Sequence, residues 1–335
     1  MARTAPVSIP RAEASERAVV VRHGLAALGA VDLEGASLPS SGPAQEAFVA
    51  LAAEAAERIS PEAADALDGF ARDPGPSGAL VLRDVPTGAV PATPSSPTAR
   101  TGKDLRSELA LLAVARRLGE PIGYAPEHGG SIVQNLVPTR GDVGRQTSTS
   151  SGVDLAFHTE TAFHPYGPRH LLLLCLRGDP AAATTLASVE DLLPALSSEA
   201  VAALREPTFR TAADESFGGR RDVPVGAPRP VLGDDEGQPW LCWDAELTTS
   251  LRAEGRRALR ELVDAAAERH RRVVLEPGDL LVVDNRRCVH GRSPFHARFD
   301  GTDRWLQRTF VVPDLAPSAP ERDGRVITTS FAAAA

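Results

Sequence analysis

The chain predicts an antiparallel β core, a sandwich or a barrel, standing behind a helical layer. Three observations lead there. Glycine and proline, 28 of each in 335 residues, supply many turns. From Ile132 onward, short apolar runs alternate with Gly/Pro turns, the texture of packed strands. Before that point, Ala-rich stretches carry an apolar helical face. Sandwiches and barrels run past about 200 residues as one unit, so a single elaborated domain covers 1–335.

In order along the chain, residues 1–17 are polar and interrupted by proline, which predicts a loose start. Residues 18–130 form a mainly helical buttress. Within it, 45–58 (QEAFVALAAEAAER) presents an apolar helical face, and Ser60-Pro61-Glu62 combines an N-cap with proline at the first helical position, predicting a helix over 61–72. ALVLRDVP (79–86) reads as a buried strand, and the Pro/Ser/Thr-rich stretch 86–102 links it to a helix from Leu105 to Leu118. The core, 131–315, offers strands at SIVQNLVP, HLLLLCLR, TTLASV, PWLCWD, RVVLEPGDLLVVDN and RWLQRTFVVP. Helices interrupt it over 189–205, where Ser188 caps, and over 247–270. Segments 139–152 and 214–239 are too long and too polar for tight turns and read as lids or disordered loops. Residues 316–335 are a tail.

Composition narrows the function. The charge balance is 36 − 44 = −8, and 10 Phe, 3 Trp and 2 Tyr make few aromatics. A nucleic-acid partner would want a basic field and stacking platforms, so none is expected. Three cysteines without a CxxC spacing make neither a disulfide framework nor a thiolate zinc site, which suits a reducing cytoplasm. No window approaches the roughly 18 uncharged apolar residues of a membrane span, and the first residues carry charges where a signal peptide is apolar. The expected partner is a small molecule, bound to a monomer or homodimer.

His158-Thr159-Glu160 follows the run VDLAF, and the i, i+2 spacing on a strand turns His158 and Glu160 to one face. A surface pair is the plain alternative. The second site changes the balance: His290 stands just past the apolar strand that follows a Pro-Gly-Asp turn, where it can reach a metal held by another strand. Two His and one carboxylate form the facial triad of non-haem Fe(II) oxygenases, with three positions left open for cosubstrate and O2. Hydrolytic zinc uses the same ligand types, but the HExxH signature is absent. In DGTDRWLQRTFVV, Arg304 and Arg308 share a strand face about 13 Å apart with Leu306 between them. Two guanidiniums inside an apolar strand are costly unless each meets an anion, and carboxylates of a keto acid and an amino acid would satisfy them.

Together FHTETAFHPY (157–166), LLLLCLRGDP (171–180) and VDNRRCVHGRSPFHARFDGTDRWLQRTFVV (283–312) make the chain resemble the clavaminate synthase-like Fe(II)/2-oxoglutarate-dependent dioxygenases over about 70–315. These hydroxylate free L-amino acids, and the asparagine oxygenase and arginine β-hydroxylases of peptide-antibiotic pathways look nearest. The resemblance implies a double-stranded β-helix, or jelly-roll, core with an N-terminal helical layer and inserted lids. It implies His158, Glu160 and His290 as iron ligands and Arg304 as the clamp on the distal carboxylate of 2-oxoglutarate, helped by Thr185 or else Thr184. It also implies Arg308 for the substrate α-carboxylate and Glu127 for the α-ammonium, with Gln134 as a second candidate, and Ser148 and Thr149 reaching the substrate from the lid at 139–152. Asp244, with Glu246 two residues on, would hold a distal guanidinium, ammonium or carboxamide. Asp284 and Asn285 would brace the turn carrying His290. The implied reaction consumes Fe(II)-bound O2 and 2-oxoglutarate and hydroxylates C3 or C4 of an Arg, Lys or Asn type substrate in secondary metabolism. Desaturation, ring closure, or a non-catalytic binding protein on the same scaffold are the alternatives.

Overall fold

The computed structural model describes residues 19–99, 101–220 and 223–331, so the loose start expected over 1–17 lies outside them. The front third supplies β1 (Val19–Val21), helix α1 (Pro43–Ala56), helix α2 (Pro61–Arg72), β2 (Ala79–Leu82), helix α3 (Arg106–Leu118) and β3 (Glu120–Tyr124). The α2 start is the one the sequence announces: Ser60 Oγ accepts from the Ala63 N–H at 3.3 Å, and Pro61 needs no acceptor at that position. The buttress is less purely helical than expected, because β1, β2 and β3 all join the main sheet.

The core continues with β4 (Gln134–Leu136), β5 (Leu155–His158), β6 (His170–Arg177), β7 (Thr184–Ser188), α4 (Val189–Leu192) and α5 (Ser198–Leu204). A single helix over 189–205 does not form. Pro194 and an extended Leu196 break it, and two serine caps, Ser188 and Ser197, start two short helices instead. The segment 214–239, expected as a lid or disordered loop, folds in large part. It carries β9 (Pro224–Arg229) after β8 (Phe209–Ala212), then the hairpin of β10 (Leu232–Asp235) and β11 (Gln238–Leu241). Next come β12 (Thr248–Ser250), α6 (Ala253–Arg269), β13 (Arg271–Val273), β14 (Leu280–Asp284), β15 (Cys288–Arg292) and β16 (Trp305–Val312). The tail is not idle: β17 (Arg322–Asp323) and β18 (Val326–Ile327) extend the main sheet, β18 lying parallel to β3.

The main sheet runs β1-β2-β14-β6-β16-β3-β18-β17, with β4 also paired to β16, and a second sheet runs β13-β7-β15-β5. β6 explains why HLLLLCLR shows no polar alternation. Leu172, Leu174 and Leu176 pack outward into the helical layer with Leu109 and Leu112 of α3, while Leu171, Leu173 and Cys175 pack inward with Leu186 of β7 and Cys288 of β15. Both faces are covered, so both must be apolar. β16 follows the same rule, with Trp305 and Val311 outward and Leu306 and Phe310 inward, which fixes Arg308 on the inner face.

Two histidines are buried away from the candidate site. His170 lies against Phe70 with neither ring nitrogen hydrogen-bonded, and His164 packs against Tyr124. Burial pushes both imidazoles down to about 4 from the ordinary 6.5. The unfolded chain therefore takes up protons first as the pH falls. Stability should be complete above pH 6.5 and lost progressively between 6.5 and 4, by roughly 3 kcal/mol per histidine at most. Melting temperature against pH checks this, and His170→Leu should flatten the acid limb while leaving the neutral plateau in place.

Candidate active site

The three candidate metal-ligating residues meet because of strand register. β15 pairs antiparallel with β5 so that His290 faces His158, with ring centroids 4.2 Å apart. Gly291 permits the approach: a Cβ there would lie 2.5 Å from the Leu155 carbonyl oxygen. Ligand atoms of His158, Glu160 and His290 all lie within 4.8 Å of one another. His158 Nδ1 donates to the Ala156 carbonyl at 2.8 Å, which leaves Nε2 with its lone pair toward a metal. Glu160 is held by its backbone. Asn285 accepts from the Glu160 N–H at 2.7 Å and donates to the Glu160 carbonyl at 3.1 Å. Asn285 therefore braces Glu160, while Asp284 accepts from the Arg286 and Arg287 N–H groups and braces the turn into β15. Burial opposes ionisation of Glu160, but Arg308 and His290 outweigh it and draw the carboxyl down to about 2; burial pushes His290 down to about 4. A carboxylate and neutral imidazoles are the forms that bind iron.

This cluster opens into a cavity of about 670 Å³. On one side, Arg308 is buried under a ring of acceptors: Nη2 donates to Glu127 Oε1 at 2.7 Å, Nε to Gln134 Oε1 at 2.9 Å, and Nη1 to Glu160 Oε2 at 3.4 Å. Its guanidinium also sits over the Phe310 ring, 4.5 Å from the centroid. Glu127 Oε2 and Gln134 Nε2 are buried without partners. Burial, with Glu160 nearby, raises the Glu127 carboxyl although Arg308 opposes it.

On another side, Arg304 lines the cavity, 7% exposed, with no hydrogen bond or ion pair among the described residues. The cavity-lining threonine is Thr184, the alternative, and not Thr185. The cause is the strand period: Thr184 stands opposite Arg292, and Leu186 opposite His290, on the inner face, whereas Thr185 stands opposite Gly291 on the other. Arg292, which the sequence did not single out, also lines this region and is buried.

The third wall comes from loops. Ser148 and Thr149 both line the cavity from the 139–152 segment, where Thr149 donates to Asp142 Oδ2 at 2.6 Å. Asp244 lines it too, but Asp244 and Glu246 do not share a strand face as expected. The chain turns there, and Asp244 Oδ1 accepts from the Glu246 and Leu247 N–H groups at 2.8 Å each. Glu246 is left exposed at the rim of the cavity, while Asp244 Oδ2 has no partner among the described residues. Asp214, from the second loop, was missed by sequence reasoning; burial, then the charge of Asp244, raises its carboxyl to about 7. A lone Asp in a polar stretch carries no signal of this. His128, expected in solvent, is half-buried and lines the cavity as well.

The donor set fits one Fe(II), with two imidazoles, one carboxylate and an open side toward the cavity. His290→Ala and Glu160→Ala should each abolish tight Fe(II) binding in calorimetric titration, and the loaded protein should show ligand distances of roughly 2.0–2.2 Å by X-ray absorption.

Comparison with known proteins identifies the family. The family description "Taurine catabolism dioxygenase TauD, TfdA family" matches residues 78–310. The chain is 44% identical over 273 residues to the L-asparagine oxygenase of Streptomyces coelicolor, covering 78% of this chain and 79% of that one. It is 34% identical over 291 residues to the L-lysine 3-hydroxylase of Catenulispora acidiphila, covering 85% and 81%. A crystal structure of asparagine oxygenase with Fe(II), 2S,3S-3-hydroxyasparagine and succinate superposes with a TM-score of 0.82 at 37% identity, over 97% of this chain and 99% of that one. The match along most of the chain and the metal-ligating triad together make this protein a member of the TauD/TfdA family of dioxygenases.

Proposed function

We propose that this protein is an Fe(II)- and 2-oxoglutarate-dependent hydroxylase of a free L-amino acid with a nitrogen-bearing side chain, arginine first, then lysine or asparagine, acting at C3 or C4. The observation that carries the reading is the cluster around Arg308. A buried guanidinium, a buried carboxylate oxygen without a donor and a buried amide NH2 without an acceptor stand together at the edge of the metal-ligating triad. An α-carboxylate answers the guanidinium and the Gln134 amide, and an α-ammonium answers Glu127 Oε2. A zwitterion satisfies all three at once, which neither a simple acid nor a simple amine does. The names of the relatives, an asparagine oxygenase and a lysine 3-hydroxylase, support the same substrate class.

His158, Glu160 and His290 would hold the iron, and Arg304 with Thr184 would take the distal carboxylate of 2-oxoglutarate. Bound there, iron and 2-oxoglutarate together activate O2 for hydroxylation of an unactivated C–H bond. The rest of the work falls to the chain. Arg308 and Glu127 anchor the backbone end of the substrate beside Glu160, so the carbons nearest that end lie toward the metal. Asp244 and Asp214 line the same cavity and would meet the far end of the substrate side chain, where two carboxyls suit a guanidinium or ammonium group. The two loops cover the bound substrate from water. The remaining parts of the reading, a jelly-roll core in one elaborated domain, secondary metabolism, and a monomer or homodimer in the cytoplasm, rest on the family resemblance and on composition.

The direct test is mass spectrometry of a panel of free L-amino acids incubated with the protein, Fe(II), ascorbate and 2-oxoglutarate. A product 16 mass units heavier from a basic or amide amino acid is expected, and a preference for leucine or valine would sink the assignment. Arg304→Ala should raise the Michaelis constant for 2-oxoglutarate by roughly 10- to 150-fold, while Arg308→Ala should do so for the amino acid instead. Equal effects of both variants on both ligands would refute that division of labour. Asp244→Asn and Asp214→Asn should each weaken a cationic substrate more than asparagine in competition assays; unchanged selectivity in both would make these carboxyls structural.

A further inference from the structure

Arg292 is a buried cation that no role so far accounts for. It is 4% exposed, lies on the inner face of β15 two residues beyond His290, and lines the same cavity as Arg304. Its donors are spent on neutral acceptors. Nη1 reaches the Ser150 carbonyl at 2.6 Å, Nη2 reaches Ser150 Oγ at 2.8 Å and the Val153 carbonyl at 3.2 Å, and Nε reaches the Ser293 carbonyl at 3.3 Å. No carboxylate pairs with it among the described residues, and none pairs with Arg304. Two buried guanidiniums thus line one cavity with no carboxylate paired to either among the described residues, which is costly unless a ligand brings a partner charge. Charge matching asks for a dianion, and 2-oxoglutarate is one.

Three of those four hydrogen bonds go to Ser150 and Val153, at the end of the first lid. Ser150 and Ser151 are themselves buried, and the Ser151 carbonyl accepts from the Phe295 N–H at 2.8 Å. Arg292 is therefore one of the lid's ties to the rest of the protein, beside Gln146 accepting from the Ala156 N–H, the Arg145–Glu215 ion pair and Arg140 over the Phe299 ring, and it shares its cavity with Arg304. We infer that Arg292 is a positioning residue that couples the two: the cosubstrate's negative charge relieves the repulsion between Arg292 and Arg304, holds Arg292 in its fork on Ser150 and Val153, and so fastens the 139–152 segment over the substrate. The inference rests on the reading of Arg304 as the cosubstrate clamp. Coupling of this kind is reciprocal, so the fastened lid also strengthens cosubstrate binding by the same factor.

The lid carries its own reporters, because trypsin cuts after Arg140 and Arg145, and the Arg145 side chain is 54% exposed. In the iron-loaded protein kept free of oxygen, 2-oxoglutarate should slow cleavage at these two bonds about fivefold or more, read by mass spectrometry of the fragments. In Arg292→Gln the cosubstrate should leave the cleavage rate unchanged. Arg292→Lys keeps the charge and loses the fork, so it should lose the protection and, by the same reciprocity, about the same fivefold of the 2-oxoglutarate affinity measured by calorimetry. Thermal melts of both variants verify that they are folded. Protection of either variant equal to that of the wild type, or no protection of the wild type, overturns the coupling. If Arg304→Ala leaves the 2-oxoglutarate affinity intact, the cosubstrate reading falls and the coupling with it; if that affinity drops while Arg292→Gln remains protected, only the coupling falls.

Discussion

Positive charge buried between two sheets is the constraint around which this molecule is organised. Arg308 stands on a strand whose inward neighbours are Leu306 and Phe310, and Arg304 stands just before that strand begins. Neither charge is tolerable in an apolar interior without compensation. The protein treats the two in opposite ways. Arg308 is compensated internally by Glu127, Gln134 and Glu160. Arg304 and Arg292 line the cavity with no ion pair among the described residues. In the proposed reading, one region is thus preorganised around a zwitterion and the other around a dicarboxylate.

The backbone opposite these charges makes the triad itself possible. His158 and His290 come from strands far apart in sequence, and their facing positions follow from the β5–β15 register and the absence of a side chain at Gly291. Glu160 lies beyond the end of β5, where no ladder holds it, and Asn285 supplies the missing hydrogen bonds from the turn before β15. The same turn is stiffened by Asp284, which also pairs with Arg169. Both ends of the candidate metal site therefore depend on the residues Asp284-Asn285, although neither touches the metal-ligating atoms.

The front of β4 and β16 is matched by an equally specific back. Gln134 meets Arg308 on the inner face, and on the outer face Gln307 and Trp305 both donate to Asn135 Oδ1 while Gln307 also donates to Glu108 of α3. Because side chains alternate along a strand, a slip of one residue would exchange these two sets, placing Asn135 toward the cavity and Gln134 toward the helices. The helical layer thereby contributes to the register of the candidate active site as well as to its apolar backing.

The sequence by itself determined the strongest elements and the chemistry they carry. Runs apolar on both faces, such as His170–Arg177 and Trp305–Val312, leave no choice of secondary structure, and Ser60-Pro61 starts a helix by local bonding alone. His158, Glu160 and His290 were legible as a candidate ligand set because their spacing and the family resemblance agreed, and Arg304 and Arg308 were legible as two cations set within an apolar run. What the tertiary structure decided was anything set by pairing across long separations. It chose Thr184 over Thr185, because the neighbouring strand's register selects which threonine faces inward. It turned Asp244–Leu247 away from a strand and brought Asp214 into the same cavity as Asp244. It recruited β1, β2, β3, β17 and β18 into the main sheet. It also gave Arg292 its place between the lid and the cavity. Local propensity cannot encode these outcomes, since a short polar segment has nearly the same energy in several conformations until a distant strand supplies its hydrogen bonds.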